Sequence, residues 1–126
     1  MKALMSPNEI HEFGLRFLYR ELLNQGFEVL SVEPDLETFP QIVARKSDQL
    51  HFIVVQTASY PEVGDLPTNH QIKLINAHAK KHHAISKFAS LGIANAEAKK
   101  EEEKSILRKG SELYVHYSGL KELIRK

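Results

Sequence analysis

The chain of 126 residues has no cysteine and no tryptophan. Without a thiol there is no disulfide, no thiolate metal site, no cysteine-ligated iron–sulfur cluster and no thiol nucleophile. Long apolar runs are missing too. None approaches the roughly 18 residues that a membrane-crossing helix needs, and Met1–Met5 is too short for the apolar core of a secretion signal. These absences lead to the expectation of a soluble, cytoplasmic protein that uses no cofactor. There is no excess of charge of one sign: the formal charge is +1, which argues against a whole-surface polyelectrolyte and leaves room only for a local patch. Glycine-rich phosphate loops and Ser–His–Asp signatures are also missing, and Gly92, Gly110 and Gly119 stand alone, as turn glycines do.

What is present is ordinary globular material, 42% hydrophobic and 26% charged, in a length that suits one domain with a real core. No repeat or linker divides it, so residues 1–126 read as a single domain. Ser6-Pro7-Asn8-Glu9 carries a capping box with proline at the first helical position. Ile10, Phe13, Phe17, Leu18 and Leu22 follow at helical spacing up to Gly26, a natural left-handed cap. That predicts a helix over 7–25, with His11, Glu12, Arg16, Arg20 and Glu21 toward its polar flank. Residues 27–32, 41–46 and 50–58 read as strands, the last two joined by Ser47-Asp48-Gln49. That turn brings Gln41 opposite the neighbourhood of Val54 to Gln56. Thr68 or Asn69 caps a second helix running to about His82, with Ile72, Ile75 and Ala79 inward. Residues 84–94 read as a strand after a break near His83. Residues 95–108 alternate in charge and suggest a solvated helix or excursion held by Glu97–Lys100, Lys99–Glu103 and Glu101–Lys104 pairs. A short strand over 112–117 and a brief amphipathic helix from Gly119, carrying Leu120, Leu123 and Ile124, complete the chain. The predicted class is α/β: a mixed sheet with helices on its faces, in the order α-β-β-β-α-β-(charged excursion)-β-α.

Over residues 9–94 this order resembles the PD-(D/E)xK superfamily of nucleases, the restriction-endonuclease-like fold. Pro40-Gln41-Ile42-Val43-Ala44 is similar to a family strand of the form PDIVA, and Phe52-Ile53-Val54-Val55-Gln56-Thr57 to one of the form FVEVKT. The resemblance implies a three-layer sandwich whose hairpin carries two carboxylates that hold a divalent cation. A lysine two residues after the second acid, hence on the same sheet face, positions or activates water. In this chain the first acid position is Gln41, the second is Val54 and the lysine position is Gln56. Glutamine stands for that lysine in some active relatives, but valine cannot coordinate magnesium, and a neutral amide is a poor substitute for a hard anionic ligand. The chain also resembles a set of small bacterial proteins that share its His11–Gly14, Pro40–Lys46, Phe52–Val55 and Phe88–Ala96 stretches. Some of these carry the name of the flavin-bearing component of a sodium-pumping NADH–quinone reductase. That name implies a flavin domain and a cysteine-ligated cluster, and a chain of this length without cysteine holds neither.

The resemblance thus implies a degenerate, non-catalytic nuclease fold serving as a binding or accessory module. One alternative is a weak metal-dependent nuclease with acids migrated from Glu12, Glu33, Asp35 or Glu37. Against it, Pro34-Asp35 reads as turn chemistry. Another is a homo-oligomeric structural protein, for instance a homodimer, that uses sheet edges or the C-terminal helix. His78 and His82, four apart on a helix with His70 and His83 nearby, have the spacing of a metal pair but lack a third ligand. Lys73, Lys80, Lys81 and Lys87 make the most basic stretch, free of acids from Asn69 to Ala96, and are the candidate nucleic-acid contacts. Tyr60, Tyr114 and Tyr117 read as packing residues.

Overall fold

Ser6 Oγ accepts the Glu9 N–H at 3.2 Å and Glu9 Oε1 accepts the Ser6 N–H at 2.9 Å, so the predicted capping box starts the first helix, α1 (Pro7–Asn24). In the computed structural model, which describes residues 2–35 and 37–123, the chain leaves α1 through Gly26 with φ +91°, a left-handed conformation that glycine adopts without strain. The buried stripe of α1 is His11, Gly14, Leu15, Leu18 and Leu22. This is one position round the helix from the expected Ile10–Phe13–Phe17 line. Gly14 accounts for the rotation: a Cβ there would collide with the Thr57 side chain and crowd Leu91. Glycine therefore lets the helix lie close on the sheet along its 11–14–18–22 line. His11, expected on the polar flank, is instead fully buried.

Five strands follow one another in the sheet: β1 (Glu28–Val32), β2 (Ile42–Lys46), β3 (Gln49–Ser59), β4 (Ala84–Asn95) and β5 (Leu113–Tyr117). A sixth, β6 (Lys121–Glu122), pairs with β4. All neighbours are antiparallel except β3 and β4, which run parallel from Leu50↔Ala84 to Ser59↔Ile93. The second helix, α2 (Asn69–Lys81), connects that parallel pair and opens with its own capping box between Thr68 and Gln71. Ser47 and Asp48 both have positive φ and form a two-residue hairpin turn, tighter than the three-residue turn expected. Gln49 therefore already belongs to β3, and Ile42 pairs with Ile53.

Strand alternation divides the core. Ile42, Ala44, Ile53, Val55, Ala89 and Leu91 face α1 and its Leu15, Leu18 and Leu22, whereas Val54 and Phe88 face Ile72 and Ile75 of α2. The molecule is thus an α/β fold with a mixed six-stranded sheet and one helix on each face. Each fully buried leucine or isoleucine contributes about 1.5–3 kcal/mol relative to exposure.

Two expectations fail. Among the described residues the expected C-terminal helix does not form, and its start is the strand β6, lying beside Lys87 and Phe88. Leu120 packs on the α1 side of the sheet and Leu123 on the α2 side. Residues three apart reach opposite faces in an extended chain, whereas a helix would put them on one stripe. Ile124 lies outside the described residues.

The charged segment is not a solvated helix either. Only Glu101–Glu103 turns, as a 3₁₀ helix, and Glu101–Lys104 is the one expected ion pair that forms, at 2.6 Å. Glu97 instead pairs with Lys2 and accepts the Glu112 N–H. Glu103 accepts the Lys99 backbone N–H. The segment is tied to the chain's start by the Met5 N–H bonding Leu107 O at 2.9 Å, and to the end of β4 by the Asn95 amide bonding Ile106 O. Among the described residues no helix is long and apolar enough to cross a membrane.

Candidate functional site: the hairpin and the basic helix

Gln41 is 1% exposed, and its Oε1 accepts the Val55 N–H at 2.8 Å. Its side chain extends the β2–β3 ladder by one rung, just before β2 begins. Val54, in the second acid position, is fully buried against α2. Gln56, in the lysine position, follows on the same face and is half-buried. The loop from β3 to α2 crosses directly above it. Gly64 presses so closely on the Gln56 backbone that no Cβ fits there, its N–H bonds Leu91 O at 3.1 Å, and its carbonyl accepts the Ser90 hydroxyl at 2.6 Å. The three positions a nuclease would use are thus a ladder cap, a core residue and a loop seat.

Acids from elsewhere do not gather around them. Asp35 Oδ1 accepts the Glu37 N–H at 2.9 Å and Oδ2 accepts the Thr38 hydroxyl at 3.1 Å, which is the turn chemistry expected of it. These hydrogen bonds, the backbone one foremost, hold its carboxyl below the usual range. Glu12, Glu33 and Glu37 are exposed. Among the described residues, no group of three or more His, Asp and Glu is placed to hold a metal ion.

His78 and His82 do come together, with ring centroids 4.8 Å apart, but both also lean on Phe52, at 5.3 and 5.7 Å. Phe52 is buried at 5% exposure, so the imidazoles lid an aromatic contact. His70 sits exposed in the first turn of α2, and His83 turns the chain into β4 with φ +56°.

Lys73, Lys80 and Lys81 are exposed on α2, where Lys73 and Lys80 lie two turns apart on one line. Lys87 separates from them. It lies on β4 in alternation with Ala89 and Leu91, hence on the α1 side of the sheet. There it and Lys46 add to burial in holding His51 below its ordinary pKa. The predicted four-lysine patch is therefore a three-lysine helix edge, and the period of 2 in β4 is the reason.

One buried and one half-buried histidine escape sequence reasoning. His51 meets the Phe27 ring edge-on at 5.1 Å, and Lys46 Nζ stands 5.2 Å from the centre of that same phenyl ring. His11 lies wholly inside, with neither ring nitrogen bonded to a protein group among the described residues. Burial holds its pKa down, against the weaker opposing pull of Glu12 and Asp35. The signal for His11 was its place in the 11–15–18–22 line; the signal for His51 was its alternation with Ile53.

Of the tyrosines, Tyr117 packs edge-on against Phe17 at 6.1 Å, as expected, and burial raises its pKa to about 12. Tyr114 does not pack; it is 61% exposed.

No curated protein matches this chain. The model of a family described as a domain of unknown function (DUF8840) matches residues 8–123, from the first turn of α1 to the leucine that closes the α2-side core, and the chain belongs to that family.

Proposed function

We propose that the protein is a non-catalytic binding module on a restriction-endonuclease-like scaffold, and that α2 is its contact edge for the phosphate backbone of a nucleic acid. The observation that carries the first half is the hydrogen bond from the Val55 N–H to the buried Gln41 amide. A carboxylate at that position would have to face a cation, whereas here the polar atom is spent on the strand beside it. Buried Val54 and the loop seated on Gln56 support the same reading, because together they leave neither ligand nor room. The second half rests on charge. Lys73, Lys80 and Lys81 extend from a helix that bears no carboxylate, with His82 exposed beyond them. Such an edge attracts polyanions through counterion release.

Plasmid or oligonucleotide DNA incubated with magnesium or manganese is expected to stay intact; cleavage that a chelator abolishes overturns the first half. For the second, a labelled duplex should bind at low salt with a log–log salt slope of about −2 to −3, as three phosphate contacts require. Lys80→Glu/Lys81→Glu should abolish most of that binding, and Lys87→Glu should leave it nearly unchanged. Absence of binding at low salt, or equal loss in all variants, removes the nucleic-acid assignment.

A further inference from the structure

β3 and β4 run parallel and end at Ser59 and Asn95. Beyond their carboxyl ends, on the side of the sheet that carries α2, lies a cavity of about 620 Å³. The carboxyl ends of parallel strands are where open α/β sheets commonly hold ligands, and the volume is that of a small-molecule site. This cavity is separate from the hairpin positions and from the lysine edge, and nothing argued about it depends on the nuclease-like reading.

Its floor is small. Gly92 and Ala94 of β4 alternate with Phe88 on the α2 side, but α2 covers only the amino-terminal half of that face. Their partners in β5 are His116 and Tyr114, which stand on the same face beside them. One wall is the Tyr60–Val63 segment after β3. It is fixed at Gly92, where a Cβ would meet Glu62 O and Val63 Cγ1 at 2.9 Å each. The opposite wall is the charged segment, and the two walls are joined. The Tyr60 hydroxyl bonds Glu101, Lys104 Nζ meets the other Glu101 oxygen at 2.6 Å, and the same ammonium stands 5.5 Å from the centre of the Tyr60 ring.

These contacts decide which chemistry remains for a guest. Lys104, Glu101 and the Tyr60 hydroxyl are engaged with one another, so among the described residues the lining has no lysine or arginine without an acidic partner. The Asn95 amide is spent on Ile106 O and the Glu97 N–H. Among the described residues, Glu62, His116 and Tyr114 of the lining are exposed and make no side-chain hydrogen bond or ion pair to the protein. The Tyr114 ring is largely exposed. An aliphatic chain would make no use of these polar groups, and an anion is disfavoured beside the Glu62 carboxylate. A flat ring with N–H donors suits all of these groups: stacking on tyrosine, a donor to Glu62, and a ring nitrogen for His116.

We infer that this cavity is a binding site for a planar, amino-bearing heterocycle of nucleoside size. Adenosine is the probe. In saturation-transfer NMR its base protons should receive more saturation than its ribose protons, and free ribose should receive none. Binding should weaken about tenfold in Tyr114→Ala, the usual loss when a base loses its aromatic platform, and persist in Tyr114→Phe. Ala96→Trp, which adds bulk at an exposed rim position, should block it. Inosine, which lacks the exocyclic amine, should bind severalfold more weakly. No transfer to adenosine at millimolar concentration overturns the site. So does undiminished binding in both Tyr114→Ala and Ala96→Trp, with folding confirmed by circular dichroism. Equal binding of inosine overturns the assignment of the amine to Glu62.

Discussion

On the sheet face that carries α2, the two halves of β4 present opposite chemistry. Around Phe88 and its neighbour Val54 every position is filled: Ile72, Ile75 and Leu123 close over them, and the Gly64 loop closes over Gln56 and Ser90. A few residues on, at Gly92 and Ala94, side chains shrink, the helix is absent and about 620 Å³ stays open. The filled half is where a nuclease would assemble its metal site, and the open half is where no family motif points. On the proposed restriction-endonuclease-like reading, a motif position keeps its place in the sheet while its chemistry is given over to packing. Vacant volume, meanwhile, arises wherever small residues outrun the covering helix.

The sharpest way to break this comparison is to put the acid back into the filled half. Val54→Glu would bury a carboxylate with no partner against Ile72 and Phe88 and should cost about 4 kcal/mol or more, enough to unfold a marginal domain. Val54→Ile, which adds one carbon to a filled core, should cost less, about 1–3 kcal/mol. Urea denaturation measures both. If Val54→Glu is tolerated, the site is open to solvent, and Gln41→Asp/Val54→Glu should then be tested for magnesium-dependent cleavage. Next in size is Gln41→Ala. It deletes the acceptor of the Val55 N–H and leaves a hole at a 1% exposed position, with an expected loss of about 2–3 kcal/mol. Gln41→Glu tests the same bond differently: a carboxylate still accepts the N–H but is desolvated, so this variant should lose stability as well. A negligible effect of both would mean the amide is not a ladder cap.

Much of the filled half was legible in the sequence, for local reasons. The capping box at Ser6–Glu9, the cap at Thr68 and the apolar runs in β2, β3 and β4 are short-range signals and sit where expected, while the turn between β2 and β3 is one residue shorter. What was not legible depends on contacts between distant elements. The rotation of α1 follows from Gly14 meeting Thr57 across the core. The final segment becomes a strand because Leu120 and Leu123 are claimed by opposite faces. Lys87 leaves the basic patch because β4 alternates where the linear sequence shows only a run of lysines. The open half was invisible for the same reason: Tyr60, Gly92, Lys104 and Tyr114 share a cavity only after the sheet is assembled.

The smallest expected effect lies on the other face of the sheet, and it asks whether filling there is as complete as around Val54. His11 is fully buried with no protein partner for either ring nitrogen among the described residues. The charged groups that act on it are Glu12 on its own helix and Asp35 on the loop before β2, and both favour protonation more weakly than burial opposes it. Its folded-state pKa is therefore below the ordinary value of about 6.5. Above that value the ring is neutral in both states, and no proton-linked cost arises. Below it the unfolded chain takes up the proton first, so stability falls with acidification until the folded-state value is passed. His51, lowered by burial and by Lys87 and Lys46, adds to the same slope. His11→Leu should change stability at pH 8 by less than about 1 kcal/mol, because no hydrogen bond is lost. As pH falls below about 6.5, the ordinary histidine value, the variant should lose stability more gently than the parent, with His51 contributing to the slope that remains. Parallel stability curves for the two proteins would show that His11 reaches solvent or a proton acceptor, and that the α1 face is less tightly closed than the α2 face.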